Sequence, residues 1–558
     1  MNHVRWEILP PAPADYVSSA DLPPVIAQLL YNRGIKPEEI KPFIAADSQL
    51  QGNPFLLPDM LKAVNRIYKA LLSREKIAIY GDLDVDGVTA TAVLVETLSK
   101  LGAETTAYIP DRFTEGHGLK SPAIEKLHNE GAGLIITVDC GISDLAAAKK
   151  AHEMGQDMII TDHHIPLATL PPAIAVIDAK RKDSQYPCRD LAGVGVAFKL
   201  AQALFHNDNR QEWLTELLDL VALGTVADMV PLVGENRYLV AEGVRTLNST
   251  KRIGLQEMAR LAGLKPGDLN SESISWVLGP RLNASGRLGS ATTSYRLLTI
   301  QSPEEVRSLA RELEESNAER KQLTGETLCK AKEALSSKPD VPLLINGDES
   351  YPLGVIGLVA GKLVEEFYKP AVIVSLGPEL CRGSSRSIPE FNIAEALEQC
   401  HDLLVTFGGH HAAAGFSIKP ENLPRLEERL LELAQKQLSH LDLRPRLAID
   451  AEVPLSKLAG GTINLMQQLE PFGQGNPSPT FLSRHVEVVE SHSFGNGDKW
   501  LKMKLKQGNI IWAAVDFESH RGQEEVVPFI DIVYHIGRSR WNGEQVLQLK
   551  LLDFAPSK

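Results

Sequence analysis

The chain has 558 residues, of which 43% are hydrophobic and 23% charged, and it carries a formal net charge of -13. This composition is ordinary for a soluble chain of on the order of three or four domains. No apolar run approaches the roughly 20 residues of a membrane span, and the acidity argues against a passive nucleic-acid coat while leaving room for an enzyme with a cation-loaded acidic centre. Five scattered cysteines without C-x-x-C spacing, and a start (Met1–Glu7) without a signal peptide's apolar core, point to a reducing cytoplasm.

Residues 1–50 read as a lead-in of weakly amphipathic short helices. From about residue 75 to 180, apolar strands (Lys76–Tyr80, Glu104–Ile109, Leu134–Val138, Met158–Thr161, Ala173–Ile177) alternate with helical patterns (Val88–Leu101, Ser121–Glu130, Ser143–Met154). Such alternation predicts a parallel α/β sheet, whose ligands gather at the carboxyl ends of the strands. The polar residues fall at those ends. Tyr80 is followed by Gly81-Asp82-Leu83-Asp84-Val85-Asp86-Gly87, Val138 by Asp139, Thr161 by Asp162-His163-His164, and Ile177 by Asp178. If the first strand continues through its motif, period-two alternation sets Asp82, Asp84 and Asp86 on one side. One Asp after a strand is usually a cap. Several strands ending this way suit hard divalent cations, Mg²⁺ or Mn²⁺. Gly193 and Gly195 open a further helix, where small residues permit close packing.

Farther on, residues 303–336 read as a charged, solvated helix bridging two domains. A second α/β unit follows, with strands near Val341–Ile345, Ala371–Val374 and Phe416–Ile418. Its Gly-rich turns, with Arg382, Ser384, Arg386, Gly408, Gly409, His410 and His411, suit phosphate, since glycines admit backbone amides and the side chains add donors. The last segment alternates over Val486–Val489, Leu501–Leu505, Ile510–Val515, Ile530–Gly537 and Gln545–Leu552, the pattern of a five-stranded OB-fold barrel. Trp500, Lys502, Lys504, Trp512, Arg538, Arg540 and Trp541 offer it stacking surfaces and cations for single-stranded nucleic acid.

Gly81–Ala90, Val138–Gly141, Thr161–His164 and Ala227-Asp228-Met229-Val230-Pro231-Leu232 stand in the order typical of the DHH phosphoesterase superfamily. With Gly279–Arg287 and Phe407–Phe416 added, the chain resembles that superfamily's bacterial single-strand-specific exonucleases from about Leu50 to the end. One departure is Tyr351-Pro352, where relatives typically carry Trp-His. The resemblance implies a DHH catalytic domain (51–300), a connecting helix (301–338), a DHHA1 substrate-binding domain (339–442) and the OB-fold (443–558). It implies two-metal phosphodiester hydrolysis, with Asp84, Asp86, Asp139, His163 and Asp228 as ligands, Asp139 bridging and Asp82 beside them. Asp162 would orient an imidazole, His164 would serve a phosphate oxygen or the leaving group, and Arg281, Asn283 and Arg287 would grip the substrate. It further implies 5′-to-3′ release of mononucleotides from single-stranded DNA by a cytoplasmic monomer in recombination and repair. A single-strand-binding protein and a RecQ-type helicase would be its partners. The rival readings are a phosphodiesterase of the same superfamily for short oligonucleotides or cyclic dinucleotides, a pyrophosphatase, and a catalytically silent scaffold. The last should have lost ligand positions, and this chain keeps them.

Overall fold

The apolar strands do assemble into one parallel sheet in a computed structural model, which describes residues 4–557 apart from 207, 209, 337–340, 459, 496–499, 518–521, 523–524 and 542–543. In chain order its strands are Lys76–Tyr80, Thr105–Tyr108, Ala132–Val138, Asp157–Thr161 and Ala175–Ile177. Their spatial order is second, first, third, fourth, fifth. Every neighbouring pair is parallel, with Ile79 opposite both Ala107 and Ile136, and Ile136 opposite Ile159. The winding therefore reverses between the first and third strands, and such a switch point opens a crevice at their carboxyl ends. Asp82 and Asp139 follow those two strands.

The first strand stops at Tyr80, and a helix begins at Val85. Alternation along an extended strand therefore does not govern Asp82, Asp84 and Asp86. Asp84 is the helix cap, its Oδ1 accepting the Gly87 amide at 3.1 Å. Gly87 is obligatory here, since a Cβ on it would come within 2.6 Å of the Asp82 backbone.

The chain divides into two compact units. One comprises Pro280–Ser294 and Ser308–Pro445, the other Val4–Gly279, Tyr295–Arg307 and Arg446–Lys558. The first contains a five-stranded sheet ordered Leu404–His410, Ala413–Ile418, Cys381–Arg386, Ala371–Ser375 and Leu344–Asp348, parallel only in its last pair. The Gly-Gly-His segment read as a turn is an edge strand of this sheet, with Gly408 opposite Gly415 and His410 opposite Ala413. The 34-residue helix Pro303–Ser336 passes from one unit into the other.

In the second unit the C-terminal strands Phe481–Phe494, Trp500–Gln507, Ile510–Asp516, Phe529–Trp541 and Glu544–Pro556 close into a barrel, because the first also pairs with the fourth. Residues 4–50 are built onto this barrel. Arg5–Ile8 pairs in parallel with Arg446–Ile449, and Ile26, Leu29, Leu30 and Phe43 share a core with Phe481, Ile532 and Phe554. Among the described residues no helix is long and apolar enough to cross a membrane.

Candidate metal centre

Asp86, Asp139 and Asp228 are each held in place by a different device. Asp86 lies in the first turn of the helix Val85–Lys100 and is 1% exposed. Its Oδ2 accepts the Gly193 amide at 2.6 Å and its Oδ1 the Val194 amide at 2.7 Å. Those amides begin the helix Gly193–Leu204, whose positive N-terminal end favours an anion. Asp139 sits at a φ of 60°, tied by its N–H to the Thr161 carbonyl at 3.0 Å. Asp228 ends the helix Leu218–Ala227.

His163 joins these groups. Its Nε2 lies 3.1 Å from Asp139 Oδ1 and 3.9 Å from Asp86 Oδ2, and its Nδ1 lies 3.7 Å from Asp228 Oδ2. His164 beside it is held by Asp162, its Nδ1 2.8 Å from Asp162 Oδ1. Asp162 also accepts the amides of Ile142, His163 and His164, so it is a fully engaged orienting carboxylate rather than an open ligand.

Two separate trios, Asp86–His163–Asp228 and Asp82–Asp84–Asp139, each bring three ligand atoms within 4.8 Å of one another, and Asp139–His163–His164 overlaps both. Asp82 Oδ1, Asp139 Oδ1 and both ring nitrogens of His163 are buried without a hydrogen-bond partner. Buried polar atoms are seldom left so, and orphaned ligand atoms in two touching trios are what a pair of divalent cations would satisfy. The donor set, mostly carboxylate oxygen with one imidazole, suits Mn²⁺ or Mg²⁺.

Electrostatics agree with the geometry. Burial, then the charges of Asp86, Asp84, Asp82 and Asp228, pushes the Asp139 carboxyl well above the carboxylate range. Burial and Asp228 do the same to Asp86, and burial and Asp84 push Asp228 up to about 7. Burial, with His164 beside it, lowers His163 to about 3 and keeps its ring neutral, the form that ligates metal. The Asp162 hydrogen bond raises His164 to about 9 against burial, making it a standing cation.

The helix opened by Gly193 does more than pack closely. A Cβ on Gly193 would lie 2.6 Å from both Cβ and Oδ1 of Asp139. Gly193→Ala should therefore displace Asp139 or the helix end that holds Asp86. The expected result is a loss of activity of about 10- to 100-fold, since misplacements near 1 Å have effects of that size, with about 1–2 kcal/mol lost in stability. Steady-state kinetics beside thermal melts check it, and wild-type activity in the variant would refute the contact. Two groups escaped the sequence reading altogether. His117 Nδ1 is 3.1 Å from Asp82 Oδ2, and His117 Nε2 is 2.8 Å from Arg112 Nη1. Their loop follows the strand Thr105–Tyr108, so the carboxyl-end rule could have pointed to it.

The expected substrate-gripping residues belong to the other unit. Arg281 holds Glu314 through Nε at 2.6 Å and Nη2 at 3.1 Å, and Arg287 donates to the Gly354 carbonyl at 3.4 Å. Asn283 lies on the same helix, Gly279–Leu288. Arg382, Ser384 and Arg386 alternate along one strand. A Cβ on Gly357, at the start of the helix Ile356–Phe367, would lie 2.9 Å from Ser384 Oγ and 3.2 Å from Arg386 Nη2. On the barrel, Trp500 is 39% exposed, and its ring is 5.6 Å from those of Phe494 and Phe517. Trp512 is half-buried against the barrel core, while Lys504 pairs with Glu490 at 2.5 Å. The side chains of Arg540 and Trp541 lie outside the described residues.

A parallel sheet whose switch point is ringed by Asp-x-Asp-x-Asp, a strand-end Asp and Asp-His-His defines a DHH-type domain, and the model of the DHH family N-terminal domain matches residues 76–225. The DHHA1 domain model matches residues 340–436 and the RecJ OB domain model residues 449–553. The single-stranded-DNA-specific exonuclease RecJ of Bacillus subtilis is 38% identical over 100% of this chain and 71% of its own length. That of Escherichia coli is 32% identical over 95% of each. The crystal structure of RecJ in complex with Mn²⁺ from Thermus thermophilus superposes with a TM-score of 0.85 at 29% identity, covering 100% of this chain and 80% of that one. The chain belongs to the RecJ family.

Proposed function

We propose that this protein is a metal-dependent exonuclease that degrades single-stranded DNA from its 5′ end and releases mononucleotides. The observation that carries the reading is the pair of three-ligand sets with orphaned, buried ligand atoms at the sheet's switch point. Asp84, Asp86, Asp139, His163 and Asp228 would hold two Mn²⁺ or Mg²⁺ ions, with Asp139 between them and Asp82 beside them. When bound, such a pair activates water and neutralises charge on the attacking and leaving oxygens. His164, held as a cation by Asp162, donates through its free edge to a non-bridging phosphate oxygen or to the leaving group. Arg281, Asn283 and Arg287 serve the flanking phosphates. Ser384, Arg386 and the Gly357 helix end form a corner for phosphate, with Arg382, Gly408, Gly409, His410 and His411 around it. The exposed rings of Trp500 and Phe517, backed by the half-buried Phe494, suit bases stacked along a barrel. Family membership extends the reading to a cytoplasmic role in recombination and repair beside a single-strand-binding protein and a RecQ-type helicase.

The test is a timed digestion of a long single strand labelled at its 5′ or its 3′ end. It runs beside a duplex, a trinucleotide and a cyclic dinucleotide, with Mn²⁺ and with chelator. Immediate, metal-dependent release of labelled mononucleotide from the 5′ end, with the duplex intact, is expected. Activity confined to the short substrates would replace this reading with an oligonucleotide or cyclic-dinucleotide phosphodiesterase.

A further inference from the structure

The loop after the strand Thr105–Tyr108 is held by hydrogen bonds within itself and to its neighbours. Asp111 Oδ1 accepts the amides of Phe113 and Thr114, each at 3.0 Å, and the Tyr80 hydroxyl donates to the Gly118 carbonyl at 3.0 Å. The Leu119 amide donates to Asp144 Oδ2 at 2.8 Å. This frame sets the His117 ring between Asp82 Oδ2, 3.1 Å from its Nδ1, and Arg112 Nη1, 2.8 Å from its Nε2. A guanidinium can only donate. Nε2 must then accept from Arg112, so the ring proton sits on Nδ1 and is donated to Asp82. With Oδ2 occupied, the carboxylate is fixed and its other oxygen, buried and unpaired, faces a different direction.

We propose that His117 is a two-ended positioning residue: Nδ1–H orients Asp82 for a divalent cation, while Nε2 holds the Arg112 guanidinium at the centre's edge, where it meets a non-bridging oxygen of the scissile phosphate. The inference rests on the assignment of Asp82 to the metal centre. It gives Asp82 the outer-shell partner that ligating or near-ligating groups normally have, whose loss weakens metal binding or activity by about 10- to 100-fold. It also adds Arg112 to the groups that touch substrate, as a planar donor matched to phosphate.

The two ends separate by substitution, because an Asn side chain places its amide near the Nδ1 position of histidine and a Gln side chain near Nε2. His117→Asn keeps the donor to Asp82 and loses the acceptor for Arg112. His117→Gln does the reverse. Mn²⁺ binding to the full chain without DNA is measured by titration calorimetry, and KM and kcat on single-stranded DNA are measured at saturating Mn²⁺. The expected split is a KM raised about 10-fold with Mn²⁺ affinity unchanged for His117→Asn. For His117→Gln it is an Mn²⁺ affinity weakened about 10-fold with KM unchanged. Asp82→Asn is the reference. If it leaves Mn²⁺ affinity unchanged, the placement of Asp82 in the centre fails and takes this proposal with it. If Asp82→Asn weakens Mn²⁺ binding while both His117 variants match wild type, or lose both properties together, the reading of the centre stands and the two-ended role of His117 is overturned.

Discussion

Asp139→Asn should lower kcat at saturating Mn²⁺ by at least about 10³-fold, equivalent to about 4 kcal/mol of transition-state stabilisation, while the protein stays folded. Asparagine is the substitution to make, because residue 139 has a φ of 60°, a region that asparagine tolerates and alanine does not. The change removes one anionic oxygen from the carboxylate that belongs to the Asp82–Asp84–Asp139 trio and, through the overlapping Asp139–His163–His164 group, adjoins the other. Its effect on the metal-free protein should have the opposite sign. A carboxyl whose folded pKa lies above its unfolded value costs stability as pH rises through that interval, and it costs the full amount above the folded value. Asp139 is held well above the carboxylate range by burial and by its acidic neighbours. The metal-free variant should therefore melt at or above metal-free wild type near pH 7. Saturating Mn²⁺ should raise the wild-type melting temperature, as a ligand of the folded state must, and should raise the variant's much less. A variant that melts well below metal-free wild type would make Asp139 a structural residue, and one that keeps its activity would remove it from the centre.

How much of this was legible in the chain depends on the range of the interaction. Strand-end acids are local: Asp139 after Val138 and Asp162-His163-His164 after Thr161 are readable because a parallel strand of apolar residues announces where its carboxyl end lies. The barrel was readable for a similar reason, since alternation with period two marks each of its strands. The helix start at Val85 was obscured because Asp82-Leu83-Asp84-Val85-Asp86 alternates like a strand, while the Asp84 cap and the backbone approach at Gly87 decide for a helix. Gly193 and Val194 donate to a carboxylate 107 and 108 residues earlier. No local pattern carries that pairing. The Gly-Gly-His segment was misread for the converse reason: glycines suggest a turn, but here Gly408 faces Gly415 across two paired strands. The docking of the N-terminal helices was not readable because their partner surface, the barrel, is supplied by the far end of the chain.

The Arg237 guanidinium exerts structural leverage of this long-range kind, and its removal should be strongly destabilising. Arg237 is fully buried in the helix Gly234–Asn248. It donates to four backbone carbonyls: Phe43 at 2.6 Å, Leu469 at 2.8 Å, Gln468 at 2.9 Å and Glu470 at 2.8 Å. It also lies 4.0 Å over the Phe43 ring. Burial, with Arg33 nearby, lowers its pKa to about 10, which leaves it charged at neutral pH. One side chain thus closes the N-terminal helices and the segment leading into the barrel onto the domain that carries the metal ligands. The same segment reaches that domain a second time, where the Leu232 amide, four residues after Asp228, donates to the Gln474 carbonyl at 2.7 Å. Arg237→Met keeps much of the volume and strands all four carbonyls. At about 1–3 kcal/mol for each unsatisfied buried acceptor, with relaxation and water recovering part, the net loss should be about 3–5 kcal/mol. Arg237→Lys should recover little of it, because a single ammonium cannot span four carbonyls spread around a planar fork. Thermal melts should show both variants well below wild type. Calorimetric Mn²⁺ affinity in the fraction that stays folded should change far less than in Asp139→Asn, since Arg237 touches no ligand atom. A methionine variant melting with wild type would mean that these segments are held together by their apolar contacts alone.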